Sequence, residues 1–297
     1  MEKVQFSIGI TAHNEEANIG KLLDCVVQQE LRTTVLAEVI VVISGCTDNT
    51  EDVVHECMVR DDRIQLLVQE HREGKASAIN LFMEEADQDI LLLSSADLQP
   101  APDALELLVS PFADPELGIT ACRPEPVNDP NTFMGFAAHL LWDLHHQMNL
   151  RGFKAGEMIA FRKVFNRIPQ YTAVDEASIE PLIRGQGYLV RYVPEAIVYN
   201  KGPETTADFL RQRRRIYAGH LQLQQILGYS VSTMSGLTVL SLLLRSLDWR
   251  PKQFFWTWGV VALEMTGRFL GWLDFKKERD HTVWEIATTT KELEAKN

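Results

Sequence analysis

The sequence has few cysteines, and their arrangement indicates neither a disulfide framework nor a zinc site. Its 297 residues include only four cysteines: Cys25, Cys46, Cys57 and Cys122. No two of them have the C-x-x-C spacing that is common in zinc and redox motifs. We therefore expect free thiols in a reducing compartment, which favours a cytoplasmic location.

Long apolar runs and an excess of basic charge are also missing. No stretch of 18 residues is both apolar and uncharged, so a clean membrane span is not expected. Met1-Glu2-Lys3 leads directly into a predicted strand, so no signal peptide is expected. The formal net charge is −12 at pH 7. This charge argues against nucleic acid as the main partner, because phosphate backbones are bound by basic surfaces.

Buried strands alternate with amphipathic helices over the first hundred residues. The apolar patterns predict strands over 4–10, 39–43, 64–68 and 90–94, and helices over 17–29, 51–60 and 76–86, the second helix with Thr50 as its N-cap. This alternation predicts an α/β fold with a mostly parallel, Rossmann-like sheet flanked by helices. The polar loops that follow the four strands would then gather along one edge of the sheet.

The remaining patterns are more mixed. They predict helices over 104–112, 131–149 and 172–184, a strand over 118–123, a loop and strand over 152–161 and a strand region over 187–199. The 131–149 helix carries His139, His145 and His146. Because no acidic partner stands at metal-ligand spacing, we interpret them as surface or core histidines.

The last seventy residues differ in composition from the rest. Residues 237–247 are mostly apolar, with Arg245 as their one charged residue and Ser241 among the few polar ones. Residues 254–273 hold three of the six tryptophans, with only Glu264 and Arg268 charged. Two interpretations remain open: a buried helical pair packed on the main domain, or a hairpin lying in a membrane interface. We therefore divide the chain into a main domain, 1–225, and a helical C-terminal region, 226–297.

Asp97 follows an apolar run that is typical of a central strand buried on both faces. Open α/β sheets place ligands where such strands end. Asp97 is thus a candidate metal ligand beneath the phosphates of a nucleotide. The alternative is a turn aspartate that caps the next helix, since Pro100 and Pro102 follow closely.

Six segments, taken in order, resemble the motifs of one family. They are Thr11-Ala12-His13-Asn14-Glu15-Glu16, residues 41–48, Arg72-Glu73-Gly74-Lys75 with Asn80 downstream, Ser95-Ala96-Asp97, Asp175-Glu176 with Gly187-Tyr188 at the expected distance, and Gln212-Arg213-Arg214-Arg215-Ile216. Over residues 4–220 the chain resembles family 2 glycosyltransferases of the GT-A fold. In that family the six segments correspond, in the same order, to an opening donor loop, an Asp-rich loop, a Gly-Lys-x-x-Ala-x-Asn element, the Asp-x-Asp motif, an acidic pair and a Gln-x-x-Arg-Trp element.

The resemblance implies an inverting glycosyltransferase that uses a nucleotide-diphospho-sugar. Donor-binding residues would be Thr11, Ala12, His13, Glu15, Ser44, Arg72, Lys75, Ser95, Ala96 and Asp97. Asp97 would hold a divalent cation, Mn²⁺ or Mg²⁺, which offsets charge on the leaving diphosphate. Glu176 would be the base that deprotonates the acceptor hydroxyl, assisted by Asp175. Contacts to the acceptor or diphosphate would come from Gly156, Gln212, Arg215 and Tyr217.

The same charged residues also have structural explanations that involve no catalytic or binding role. Asp175 and Glu176 are also the acids that a helix dipole favours in a first turn. Arg72 and Lys75 would, without the motif around them, be ordinary charges on a solvated loop. The Gln-x-x-Arg element and the apolar C-terminal region together suggest a lipid or glycan acceptor, single transfers rather than polymer extrusion, and peripheral association with the inner face of a membrane.

Four departures from the family pattern support an alternative. Ile43-Ser44 replaces acids that read the base, Ser95 replaces the first Asp of Asp-x-Asp, Ile216 replaces Trp, and the acidic pair is written Asp-Glu. The alternative is a catalytically degenerate relative that binds a nucleotide or a protein partner.

Two other classes of protein are less favoured. A sugar nucleotidyltransferase would need a Gly-x-Gly-x-Arg signal, which the first loop lacks. A purely structural membrane protein would leave the four polar loops unexplained.

Overall fold

The computed structural model describes residues 3–170, 175–229 and 236–279. Within these ranges, eight strands form one sheet in the order β3-β2-β1-β4-β7-β6-β8-β5. The strands are β1 (Val4–Ala12), β2 (Thr34–Ser44), β3 (Ile64–Gln69), β4 (Ile90–Ser95), β5 (Gln99–Pro100), β6 (Leu117–Pro126), β7 (Ile159–Arg162) and β8 (Leu189–Asn200).

The sheet has a parallel half and a mixed half. Strands β3, β2, β1 and β4 are parallel neighbours, so their carboxyl ends lie along one edge. Strand β7 runs antiparallel to both β4 and β6, whereas β6 and β8 are parallel. This arrangement confirms the predicted α/β class and the gathering of four polar loops at one edge. The antiparallel strand in the middle of the sheet was not predicted.

Helices cover the sheet and extend beyond it. They are α1 (Ile19–Val27), α2 (Thr50–Arg60), α3 (Lys75–Glu85), α4 (Ala104–Val109), α5 (Phe133–Asn149), α6 (Ile179–Gly185), α7 (Thr206–Leu227), α8 (Gly236–Arg245) and α9 (Pro251–Lys276). The helix predicted over 104–112 ends earlier, because Pro111 lies within a 3₁₀ turn, Ser110–Ala113, that follows α4. Residues 172–174 of the predicted 172–184 helix lie outside the described residues. A 3₁₀ turn, Glu176–Ser178, then precedes α6.

The cap of α2 differs from the prediction. Thr50 is the first residue of the helix, and the Asp48 Oδ1 atom accepts a hydrogen bond of 3.1 Å from its backbone N–H. The Thr50 hydroxyl oxygen accepts in turn from the backbone N–H of Glu15, at 2.8 Å. The predicted threonine cap is therefore wrong, because the Asp48 carboxylate occupies the positive end of the helix. Thr50 instead fastens the loop after β1 to α2.

The core lies on both faces of the sheet. Leu92 in β4 belongs to one buried cluster with Ile8 and Leu105, while Leu91 and Leu93 belong to another cluster on the opposite face. Alternate residues of a strand point to opposite faces, so a strand buried on both sides is continuously apolar. This explains the apolar run that leads to Asp97.

The C-terminal helices pack beside the sheet on α5 and α7. A Cβ atom at Gly271 of α9 would lie 2.5 Å from the Arg214 carbonyl oxygen of α7, so only glycine allows this close approach. Among the described residues, no helix has the length and hydropathy needed to cross a membrane. The predicted division between residues 225 and 226 falls inside α7 and stays a prediction.

Candidate active site

A cleft of about 1120 Å³ opens at the carboxyl edge of β1, β2, β3 and β4. It is lined by every residue predicted to bind the donor: Thr11, Ala12, His13, Glu15, Ser44, Arg72, Lys75, Ser95, Ala96 and Asp97. Glu176, Gly156, Gln212, Arg215 and Tyr217 line it as well. Asp175 does not line it. Residues as distant in the sequence as Thr11 and Tyr217 thus face one space.

Hydrogen bonds between loops shape the donor end of the cleft. The His13 Nδ1 atom lies 2.7 Å from the Ser44 carbonyl oxygen, so this ring nitrogen donates a hydrogen bond to it. The backbone N–H of Thr47 donates to the Asn14 side-chain oxygen at 2.8 Å. These bonds hold the loops after β1 and β2 against each other.

The loop after β3 packs against the loop after β2. Gly45 has a φ of +58°, and a Cβ atom there would lie 2.7 Å from the Arg72 backbone nitrogen. Glycine is required on both counts. The Ser44 hydroxyl donates to the His71 carbonyl and accepts from the Glu73 N–H, each at 3.2 Å. Ser44 therefore lines the cleft while its hydroxyl group ties two loops together.

Lys75 and Glu176 form the central ion pair of the cleft. The Lys75 Nζ atom donates to the Ser95 hydroxyl at 2.7 Å and is paired with the Glu176 carboxylate. Burial alone would lower the pKa of Lys75, but the Glu176 carboxylate outweighs it and raises the pKa above the ordinary lysine value. Ser95, which replaces an aspartate of the family pattern, thus helps to position Lys75.

Asp175 lies behind this pair. Its side chain is 2% exposed, and its Oδ1 atom has no hydrogen-bond partner among the described residues. Burial, and then the neighbouring Glu176 carboxylate, raise the pKa of Asp175 to about 7. Asp175 can influence Glu176 electrostatically, but it does not reach the open cleft.

Glu157 is a cleft residue that the sequence did not reveal. It lies two residues before Ile159 of β7, which pairs with Leu93 of β4, so Glu157 comes to the same edge as Asp97. Burial, followed by the Asp97 charge, raises the pKa of Glu157 to about 7. No motif marks Glu157, and only the antiparallel placement of β7 beside β4 would have located it.

The surroundings of Asp97 fit a hard divalent cation. Asp97 makes no hydrogen bond or ion pair with any residue in the described ranges, and it does not cap α4, whose N-cap is Asp103. The negative charge of Asp97 contributes to the raised pKa of the Glu157 carboxyl group. Oxygen donors with uncompensated negative charge are what Mn²⁺ and Mg²⁺ bind, and substrate phosphates usually complete the shell. Within the described part of the chain, no cluster of three or more metal-ligating side chains exists.

Helix α7 supplies the other wall. Arg215 lies near Asp175, Glu176 and Glu157; burial lowers its pKa, which these carboxylates partly restore. Tyr217 lines the cleft with its ring 5.7 Å from the Arg268 guanidinium of α9. A Cβ atom at Gly156 would lie 3.5 Å from His145 Cε1, an ordinary contact, so packing does not demand glycine there.

The histidines of α5 are engaged inside the fold. His139 Nε2 lies 2.9 Å from the Asn128 carbonyl oxygen, and His146 Nδ1 lies 2.8 Å from the Tyr192 hydroxyl. His145 is buried, which lowers its pKa well below the ordinary histidine value.

Comparison of the sequence with models of protein families shows which family the chain belongs to. The model of glycosyl transferase family 2 matches residues 7–182, more than half of the chain, and that of glycosyl transferase family group 2 matches residues 182–273. The chain belongs to glycosyl transferase family 2. This confirms the resemblance drawn from the six motifs, the prediction of a glycosyltransferase and the GT-A fold.

Curated relatives of this family 2 glycosyltransferase are distant. It is 25% identical over 195 residues to a poly-beta-1,6-N-acetyl-D-glucosamine synthase of Staphylococcus aureus, covering 60% of this chain and 46% of the relative. It is 26% identical over 235 residues to the probable glycosyltransferase YdaM of Bacillus subtilis, covering 74% of this chain and 56% of the relative. The chain therefore spans about half the length of these relatives.

Solved structures share its fold. The mannosyltransferase PcManGT of Pyrobaculum calidifontis, in complex with GDP-Man and Mn²⁺, superimposes with a TM-score of 0.67 at 18% identity, covering 94% of this chain and 88% of that one. Glucosyl-3-phosphoglycerate synthase of Mycobacterium tuberculosis, in complex with Mn²⁺, UDP and glucosyl-3-phosphoglycerate, gives 0.51 at 18% identity, covering 77% and 82%. At these identities the likeness concerns the fold.

Proposed function

We propose that this family 2 glycosyltransferase moves a sugar from a nucleotide-diphospho-sugar to an acceptor hydroxyl, with inversion and with a divalent cation at Asp97. The observation that carries the proposal is the meeting of Asp97, Lys75 and Glu176 in one cleft at the sheet edge. A cation bound at Asp97 would offset the negative charge that grows on the leaving diphosphate. The donor sugar would then face Glu176.

The residues of this chain supply orientation and proton transfer. Glu176 removes the acceptor proton as the acceptor oxygen bonds to the anomeric carbon, and the bond from that carbon to the diphosphate breaks. A single displacement of this kind inverts the configuration. Lys75 holds Glu176 and Ser95 in place before the donor binds, and it adds positive charge beside the expected diphosphate position.

An apolar extension of the cleft favours a lipid acceptor over a free glycan. Side chains of α5, α8 and α9 line it, namely Leu140, Leu141, Leu144, Met148, Val239, Leu243, Val260 and Val261. A glycan offers mainly hydroxyl groups, whereas these walls exclude water and suit a hydrocarbon chain.

The outer face of α9 supports peripheral contact with a bilayer. This helix buries its charged residues Glu264 and Asp274 against arginines of α7 and exposes a line of large apolar side chains. Phe255 is 71% exposed, Met265 63% and Phe269 59%. These residues are spaced at helical intervals on one side, as in helices that lie in a membrane interface.

Exposed basic residues frame this apolar face. Arg245, Arg250, Lys252, Lys276, Lys277 and Arg279 are all exposed. On a chain of net charge −12, such a local concentration of positive charge suits anionic lipid headgroups. We therefore place the enzyme at the inner face of a membrane, in the compartment that the free cysteines favour.

Product analysis tests this function. The purified protein is incubated with UDP-, GDP- and dTDP-sugars, Mn²⁺ and a lipid extract, and the glycosidic linkage of any product is assigned by nuclear magnetic resonance. Transfer that needs the cation and inverts the anomeric carbon supports the proposal. Retention of configuration, or transfer that a chelator does not reduce, overturns it. Nucleotide binding without any turnover supports the degenerate relative instead.

A further inference from the structure

A group of basic side chains lines the cleft apart from the residues assigned above. Lys154 precedes β7, Arg213 lies on α7 and Arg268 lies on α9, and all three line the cleft. Arg213 and Arg268 both contact the Glu264 carboxylate, at 3.8 Å and 2.9 Å, and Lys154 lines the same cleft. The positive charges of both arginines lower the pKa of Lys154. We call these three residues the basic cluster.

The basic cluster lies between the catalytic end and the apolar extension. On one side, Glu157 interacts electrostatically with Lys154 and also with Asp97 and Glu176. On the other side, Val260 and Val261 line the apolar extension one helical turn before Glu264, the carboxylate that faces the basic cluster. The cleft therefore changes from catalytic carboxylates to cations and then to apolar walls.

Other residues of the protein leave part of the hydrogen-bonding capacity of the basic cluster unused. Glu264 accepts from Arg268 Nε at 2.9 Å, but its other oxygen lies 3.8 Å from Arg213 Nε. Neither that oxygen nor Arg213 Nε has a hydrogen-bond partner among the described residues. Across the same ranges, the Lys154 ammonium makes no hydrogen bond or ion pair. Buried polar groups are normally satisfied, so the donors Arg213 Nε and Lys154 Nζ are available to an anionic ligand, whereas the Glu264 oxygen is not.

A neighbouring histidine gives a second, independent sign. His220 is 9% exposed, lines the cleft, and leaves its Nδ1 atom without a hydrogen-bond partner in the described structure. Burial, and then Lys154 and Arg213, lower the pKa of His220 to about 3. Burial, and then Arg213, lower the pKa of Lys154 to about 8. Burial is the larger cause of both shifts, and the neighbouring cations add to it; a bound anion would offset that second contribution.

We propose that Lys154, Arg213 and Arg268 bind a phosphate group of the acceptor, whose hydroxyl then faces Glu176 and whose apolar chain occupies the extension lined by α5, α8 and α9. This inference rests on the proposed function and specifies its acceptor as a lipid-linked phosphate. Guanidinium groups bind phosphate oxygens through paired hydrogen bonds, and a lysine adds a point charge. The phosphate is an anchor and is not itself transferred.

A binding experiment without nucleotide or metal isolates this site. Three probes are titrated in detergent: a polyprenyl phosphate, the polyprenol of equal length, and glycerol 3-phosphate. We expect the lipid phosphate to bind at least tenfold more tightly than either other probe. Because a charge-assisted hydrogen bond is worth roughly a factor of ten in affinity, Lys154→Met should weaken lipid phosphate binding by about tenfold.

Matched variants separate a binding role from a structural one. Lys154→Arg keeps the charge and should restore most of the affinity, whereas Arg151→Gln removes an exposed charge three residues away and should change nothing. Equal binding of polyprenol and polyprenyl phosphate overturns the phosphate site. Equal binding of glycerol 3-phosphate and the lipid phosphate overturns the lipid assignment.

The outcome is independent of the donor chemistry. Nucleoside diphosphates are titrated with Mn²⁺ into the same variants. If they bind while Lys154→Met leaves lipid phosphate binding unchanged, the phosphate site is wrong and the proposed function stands. If no nucleotide binds the wild type although lipid phosphate binding depends on Lys154, the proposed function is wrong and the phosphate site stands.

Discussion

Replacing Asp175 by asparagine should make the protein more stable at neutral and alkaline pH. Asp175 is buried beside Glu176, and its pKa is raised to about 7 from an ordinary 3.8. The folded protein thus binds this proton more tightly than the unfolded chain does. Stability is therefore lost as the pH rises from about 4 to about 7, and it stays lost above that range. Asparagine keeps the shape and removes the charge.

The magnitude follows from the size of the shift. At about 1.4 kcal/mol per pKa unit, the shift from 3.8 to about 7 corresponds to about 4 kcal/mol in total, of which about 2 kcal/mol falls between about pH 5 and pH 7. The Lys75 ammonium works against the shift, because its positive charge favours the ionised form of Asp175. Such a cost is common where a site is built for chemistry rather than for stability.

Urea unfolding of wild type and Asp175→Asn at about pH 5 and about pH 8 measures this effect. The stability advantage of the variant should grow by one to about 3 kcal/mol between the two conditions. Asp89→Asn, which removes an exposed carboxylate, should follow the wild type at both. If Asp175→Asn and Asp89→Asn behave alike, the buried carboxyl group does not carry a raised pKa and the reasoning fails.

Three further predictions concern the cleft and the outer face of α9. Asp97→Asn should abolish the Mn²⁺-dependent part of nucleotide binding in calorimetry; unchanged Mn²⁺ dependence would remove Asp97 from the cation site. Glu176→Gln should keep nucleotide binding while turnover falls by about two to four orders of magnitude, and wild-type turnover would move the base to Asp175. Phe255→Ser with Phe269→Ser should reduce sedimentation with anionic vesicles without lowering thermal stability, and full retention of sedimentation would exclude this face.

The parallel half of the sheet could be predicted because its signals are local. Leu91, Leu92 and Leu93 are buried on both faces of β4, so the run is continuously apolar and ends where the strand ends. The polar loops after such strands must share an edge once the strands are parallel. The position of Asp97 beside Ser95 and Lys75 follows from this rule and from the motifs together.

The other half depends on pairing between distant segments. Strand β7 is four residues long and inserts antiparallel between β4 and β6, a choice that no local pattern specifies. Glu157 reaches the cleft only through this pairing, which is why no motif revealed it. The Thr50 cap was mispredicted for a related reason, because the Asp48 side chain competes for the same helix end.

Helix α9 shows a further limit of sequence patterns. Between residues 254 and 273 of this helix only Glu264 and Arg268 are charged, and hydrophobic periodicity would place these two residues toward solvent. In the fold they face Arg213 and the cleft, while Phe255 and Phe269 face outward. Which side of such a helix is buried depends on charges carried by α7, and these are distant in sequence.

The most direct test of the central account is calorimetric titration with UDP, GDP, CDP and dTDP, each with and without Mn²⁺. The account predicts that at least one nucleoside diphosphate binds, that Mn²⁺ strengthens this binding, and that the gain disappears in Asp97→Asn. The preferred base would also identify the donor class. Binding of none of the four, or equal binding in the presence of a chelator, would contradict a cation-assisted nucleotide-sugar site in this cleft.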